Sequence, residues 1–246
     1  MTDRPIALVT GASRGIGRAA AVALGRAGYQ VIATARAQKA LEETDDMVRA
    51  VGGACTLVPL DLTDFDAIDR LGAALFQRHG RLDVMVHAAA RLAELTPAMH
   101  QTPANGQRLI DTNFTATWRL IRSMQPLLMV PGNARTLFFS SGVVADPRPN
   151  WALYAATKAA TQTLVACWVK EVAFKGVGAV TLNPGPVATA MRKQAFPGED
   201  PSTLPPPEAL ASCMLELVSQ ADPPRSGDVV NFRDTPHFAA WQAKGG

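Results

Sequence analysis

Charge is scarce in this sequence: Asp, Glu, Lys and Arg together make up 18% of 246 residues, against roughly 25% in ordinary soluble domains. That shortage excludes a disordered chain, a coiled coil and a highly charged binding tail. Cysteine is scarcer still. The three present, Cys55, Cys167 and Cys213, are odd in number and far apart. Neither a disulfide framework nor a metal cluster is therefore expected, and a reducing compartment fits. No run of 18 apolar residues occurs, because Arg26, Arg91 and Arg119 interrupt the best candidates. The apolar stretch at the N-terminus is too short for a signal peptide. A soluble, cytoplasmic protein without a membrane partner is expected. Basic residues outnumber acidic ones only 24 to 21, with no dense run or aromatic interleaving, which argues against nucleic acid as partner.

What is present is apolar residue, 48% of the chain, arranged in short runs that alternate with longer helical stretches. Strands are expected over 6–10, 30–35, 56–60, 82–88, 136–140, 179–182 and 228–232. Helices are expected over 15–27, 38–50, 105–128, 151–174 and 208–218, with one more opened by a capping box at Thr63-x-x-Asp66 and running to about 79. The strand runs are continuously apolar, so both of their faces are buried. Helical crossovers between them imply one doubly wound α/β domain spanning 1–246, a parallel sheet of about seven strands covered on both faces. A proline-rich loop covers 183–207, and Met191 and Phe196 suggest that 189–207 forms a substrate lid with an apolar underside. An ordered surface loop packed on the last helix is the equal alternative.

The first strand runs into Thr10-Gly11-Ala-Ser13-Arg14-Gly15-Ile16-Gly17. Glycines at a strand-to-helix turn let backbone N–H groups approach a pyrophosphate, whose charge the helix N-terminus favours. The second strand ends without the acid that would hold both ribose hydroxyls of NAD. It ends in Arg36, which with Arg14 offers two guanidinium groups suited to a phosphate, and this points to NADP(H). Asp61-Leu62 falls where an adenine would lie, although Asp61 serves equally well as a plain helix cap.

Tyr154 and Lys158 are four residues apart on a helix and hence share a face. Free tyrosine titrates near 10, too high for proton transfer at neutral pH; an adjacent ammonium favours the phenolate and lowers that value. Ser141, at the carboxyl end of the fifth strand, is placed to hydrogen-bond a carbonyl that gains negative charge. Arg148, just after it, either meets an anionic substrate group or faces water. His79, His100 and His237 lack partners at ligand spacing, so no metal site is expected.

These motifs, with Asn113 and Asn183-Pro184-Gly185-Pro-Val187-x-Thr189, stand in the order of the short-chain dehydrogenase/reductase family. Each is weak alone, but the ordered set over nearly the whole chain is specific, and the sequence resembles the compact, NADP-preferring branch. The resemblance implies that Tyr154 is the general acid/base, Ser141 orients the carbonyl, and Lys158 lowers the tyrosine pKa and holds the nicotinamide ribose. It also implies that Asn113 anchors a water joining Lys158 to a proton relay, and that Pro184, Gly185, Val187 and Thr189 line the carboxamide. A small-molecule carbonyl or alcohol is the implied substrate.

One departure concerns His87-Ala88-Ala89-Ala90, where the family usually carries Asn-Asn-Ala-Gly. Ala88 cannot supply the second asparagine's contacts to the sheet and adenosine ribose, and His87 is read as filling an asparagine-sized slot. This departure alone supports a rival reading, an NADP(H)-binding sensor or scaffold with little turnover. A nucleotide-sugar epimerase of the extended branch is set aside, since no substrate domain follows Phe232. Helices 105–128 and 151–174 are apolar on more than one face, so a homodimer or homotetramer built on them is expected. Trp168, Phe174 and the Phe238–Trp241 pair would be buried between subunits, with packing inside one subunit as the competing explanation.

Overall fold

The computed structural model describes residues 4–219 and 227–244. Seven strands form one parallel sheet: β1 (Ile6–Thr10), β2 (Gln30–Ala35), β3 (Ala54–Pro59), β4 (Val84–His87), β5 (Arg135–Phe139), β6 (Gly178–Asn183) and β7 (Val229–Asn231). Their order is β3-β2-β1-β4-β5-β6-β7. The connecting helices are α1 (Gly15–Arg26), α2 (Gln38–Ala50), α3 (Phe65–His79), α4 (Pro103–Ile110), α5 (Ala116–Leu128), α6 (Gly142–Ala145), α7 (Ala152–Val172), α8 (Ala190–Ala195), α9 (Ala211–Ser219) and α10 (Pro236–Gln242).

Alternation along each strand assigns the two cores. Ala7, Val9, Val31 and Ala33 face α1, α2 and α9. Leu8, Ile32, Met85 and Phe138 face α3, α5 and α7. All of these strand residues are at most 1% exposed, which is why the strand runs read as unbroken apolar stretches. The chain reverses its winding between β1 and β4, and a crevice for ligand opens there at the carboxyl ends of the strands.

Several elements differ from the sequence reading, among them the short helices α6 and α8, which it did not expect. The cap of α3 is Asp64, which accepts from the Ala67 N–H at 2.9 Å. Thr63 instead donates its N–H and hydroxyl to Asp61. The capping box was thus read one residue early, since Asp64 is as good a cap as Thr63. The long helix expected over 105–128 starts at Pro103 and passes through a π-turn at Asp111–Thr115. Beyond β7, α10 packs back on the molecule: Phe238 meets Phe232 edge-on with ring centroids 5.5 Å apart. Phe238 and Trp168 therefore serve their own subunit. Trp168 is 3% exposed and donates to Gln125, whereas Phe174 is 77% exposed.

Candidate active site

The glycine turn is shaped by close approach. Gly11 has φ +67°, and a Cβ there would lie 2.8 Å from Ala89 Cα, across the switch point. A Cβ on Gly17 would lie 2.2 Å from the Gly11 carbonyl oxygen, so only glycine lets α1 begin this close to the turn. No side chain caps α1, which leaves its first-turn N–H groups to an outside acceptor. Ser13 and Ile16 are half-buried and Arg14 is exposed. The turn is tied to α2 by two residues that the sequence did not single out. Arg18 donates to the Ser13 carbonyl and to Glu43, and buried Thr44 donates to the Ala12 carbonyl at 2.9 Å.

Arg36, at the end of β2, is exposed on the same side. Against partial burial, the bonds from Thr63 hold Asp61 below the usual carboxylate range, with a smaller contribution from the Arg36 charge. Asp61 thus closes a local turn, and Leu62 is buried beneath it. Ala88 donates its N–H to the Thr10 carbonyl and packs on the core. On the far side, Gly185 turns at φ +65° with its N–H given to Asn183. Pro184 is half-buried and Val187 buried. Thr189 caps α8 and lies beside Gly15, 3.4 Å from the point where a Cβ would stand. Residues from both ends of the chain's motif order therefore line one crevice.

Ser141, Tyr154 and Lys158 come together at its floor. Ser141 precedes α6 with an extended backbone and does not spend its hydroxyl on capping; it lies beside the Tyr154 phenol and opposes part of the rise that burial imposes on that group. Its neighbour Ser140 is committed to Gln162 instead. Lys158 Nζ donates to the Phe139 carbonyl at the end of β5, 2.9 Å away, and lies 5.9 Å from the centre of the Tyr154 ring.

Burial dominates the electrostatics. It raises the Tyr154 phenol to about 12, against the opposing effect of Ser141. It lowers the Lys158 ammonium to about 8. The expectation that Lys158 pulls the phenol below its ordinary value is not met here. Desolvation of the ring outweighs an ammonium that is itself desolvated and directed at a carbonyl.

Asn113 sits in the π-turn, 3% exposed. Its side chain accepts the Arg91 N–H at 2.8 Å and donates to the Arg91 carbonyl and to Thr157. Thr157 in turn donates to the carbonyl of Tyr154. The Asn113 carbonyl accepts the hydroxyls of Thr117 and Thr161, at 2.8 and 2.9 Å. Asn113 thus braces the β4 loop against α7. His87 is buried between Thr10 and Thr117. Arg148 pairs with Asp146 on the surface.

The family model described as short chain dehydrogenase matches residues 5–200. The chain belongs to the short chain dehydrogenase family. It is 32% identical over 230 residues to the uncharacterized oxidoreductase YciK of Escherichia coli strain K12, covering 92% of this chain and 90% of that one. A short chain dehydrogenase from Escherichia coli CFT073, complexed with NADPH, superposes with a TM-score of 0.88 at 32% identity, over 94% of this chain and 97% of that one. One from Shigella flexneri 2a, complexed with NADP, gives the same TM-score, identity and coverage. This family member is an oxidoreductase of the nicotinamide-dependent kind. Among the described residues, no helix is long and apolar enough to cross a membrane and no cluster of metal-ligating side chains occurs.

Proposed function

We propose that the protein is an NADP(H)-dependent oxidoreductase that interconverts a carbonyl and a secondary alcohol in a small molecule. The observation that carries this reading is the meeting of Tyr154 and Lys158 on one helix face, the ammonium 5.9 Å from the ring centre, with Ser141 beside the phenol. The uncapped glycine turn fits a pyrophosphate, and Arg14 and Arg36 suit the 2′-phosphate. Ala88, Asp61 and Leu62 border the adenosine side, and Pro184, Gly185, Val187 and Thr189 the nicotinamide side. When bound, the dinucleotide supplies or accepts a hydride.

The remaining work falls to the chain's own residues. Ser141 donates a hydrogen bond to the substrate oxygen as charge develops there. Tyr154, fully protonated at neutral pH, gives its phenolic proton to that oxygen in reduction. Lys158 holds the ribose and places a charge beside the phenolate that forms. Asn113 positions Tyr154 through Thr157. The deciding experiment follows NADPH oxidation over a panel of carbonyl compounds, with Tyr154→Phe as control. Turnover that disappears in the variant supports the reading, and undiminished turnover overturns it. The sensor reading rested on the β4 end, and His87 and Ala88 fill that place with satisfied hydrogen bonds, so nothing favours it further.

The functional unit is a homodimer or homotetramer built on α5 and α7. Its support is a mainly apolar hollow of about 400 Å³, where Trp118, Ile121, Pro126 and Leu164 are edged by Arg122 and Glu171. Trp118 is 49% exposed there. The segment 189–207 covers the substrate side: Met191 and Ala195 pack against the apolar cluster around Tyr154.

A further inference from the structure

The catalytic tyrosine is the innermost member of a stack that continues into the segment over the site. The Tyr154 ring meets Trp151 edge-on, with centroids 5.7 Å apart. Trp151 stacks against Phe196 at 5.9 Å with an interplanar angle of 29°. The Arg192 guanidinium lies 3.7 Å from the centre of the Phe196 ring and forms a bidentate pair with Glu199, both bonds at 2.6 Å. Trp151 and Phe196 are half-buried beside the Tyr154 ring.

These groups come from distant parts of the chain. Trp151 leads into α7, whereas Arg192, Phe196 and Glu199 belong to α8 and the turn after it. A planar pair held by a cation on one face and by the catalytic ring at its edge has little freedom to rotate aside, and the two-bond Arg–carboxylate clamp fixes the cation. The rest of the cluster about Tyr154 is also apolar: Leu92, Leu95, Val143 and Met191. A cavity of about 440 Å³ adjoins this cluster, where Leu92, Leu95 and Ala195 meet the polar Arg91, Glu94, Asn105 and Gln194.

We propose that Trp151 and Phe196 are the specificity-determining residues of the site. Together they form a rigid aromatic wall that admits a carbonyl compound with a compact apolar substituent beside the reacting carbon and excludes one with a bulky substituent. Arg192 and Glu199 act as positioning residues that hold the wall in place. The inference rests on the oxidoreductase reading above.

A series of methyl ketones tests it, running from butanone through acetophenone to 2-acetylnaphthalene, with NADPH as cofactor. Hydrophobic pockets discriminate by about 10- to 200-fold for each poorly fitting group. Trp151→Ala is expected to raise kcat/KM for 2-acetylnaphthalene relative to butanone by at least about tenfold. Trp151→Phe should lie between it and the wild type. Arg192→Gln should shift the same ratio in the same direction by less, with NADPH affinity unchanged in all three variants. An unchanged ratio in Trp151→Ala overturns the proposal. If the wild type binds NADPH but reduces no ketone, the reductase reading fails on its own account. The wall is then judged by saturation-transfer NMR with 2-acetylnaphthalene: stronger binding to Trp151→Ala than to wild type supports it, and equal binding overturns it.

Discussion

His87 Nε2 lies 2.9 Å from the Thr117 hydroxyl, and that hydroxyl is itself given to the carbonyl of Asn113 at 2.8 Å. Because Thr117 has one proton and a carbonyl can only accept, Nε2 must be the protonated nitrogen of the ring. Nδ1 then accepts from Thr10, 2.7 Å away, and Thr10 accepts the Ala89 N–H at 3.3 Å. The glycine-turn end of β1 is thereby joined to the π-turn through one neutral imidazole.

Replacing His87 by Leu leaves the Thr10 and Thr117 hydroxyls without their partner and is expected to cost about 2–4 kcal/mol in chemical denaturation at pH 7. His87→Asn should recover part of that loss. Burial, and secondarily the charge of Lys158, lowers the imidazole to about 3. The unfolded chain therefore takes up a proton near 6.5 that the native state refuses. This contribution to stability is intact above about 6.5 and is lost as pH falls toward 3. On acidification the wild type should lose more stability than His87→Asn, by up to about 3–5 kcal/mol. Parallel acid profiles for the two proteins would discount the neutral-histidine assignment.

Lys158 has the opposite window. Its native value of about 8 lies below the ordinary 10.5, so between these limits the unfolded state holds the extra proton and stability rises with pH. From pH 8 to 10, wild-type stability should rise by about 2–3 kcal/mol relative to Lys158→Met, read from denaturant midpoints at each pH. The alkaline fall in kcat/KM for carbonyl reduction should likewise run through a group near 8 and vanish in Lys158→Met, since Tyr154 stays protonated to about 12.

Tyr154→Phe removes the phenolic proton and keeps the ring in its place against Trp151. Folding and NADPH binding should survive by circular dichroism and fluorescence titration. Turnover should fall about 10²- to 10⁴-fold, as for a lost general acid.

Arg36→Ala is expected to weaken NADPH binding about ten- to hundredfold, the scale of one charge-assisted contact. NADH, which lacks the 2′-phosphate, should bind the variant and the wild type alike. Isothermal titration with each cofactor separates this from a structural role, which would weaken both.

Light scattering at micromolar concentration should show at least twice the chain mass of 26.1 kDa. Trp118→Arg should shift the protein toward the monomer. A wild-type monomer would exclude assembly through α5 and α7.

The order of strands and helices was legible because continuous apolar strands and Ala-rich helices leave a periodic record; β1, β2 and α2 begin and end where that record does. The tyrosine–lysine pair was legible because helical spacing alone puts both on one face. Its protonation was not, because desolvation depends on Leu92, Val143 and Met191, which arrive from other elements. The π-turn left no local mark either: Asp111-Thr-Asn-Phe-Thr115 has ordinary helical composition, and its widening goes with tertiary bonds from Thr161 and to Arg91. Thr10, Thr117 and Thr157, which connect the site, are common residues whose partners lie 30 or more positions away.

The π-turn also carries one surplus residue. Each α-helical residue advances the chain by about 100° around the axis, and the wide turn absorbs one residue without a matching advance. Leu109 before it and Leu120 and Met124 after it are all fully buried, so the wide turn leaves the helix on both sides of it facing the core. Removing the surplus residue within 111–115 would restore a regular helix with α4 and α5 still facing the core, and would displace the Asn113 side chain from Arg91 and Thr157. The wide turn therefore serves Asn113 rather than the packing of α5, and a one-residue deletion there should spare the fold while loosening the loop after β4.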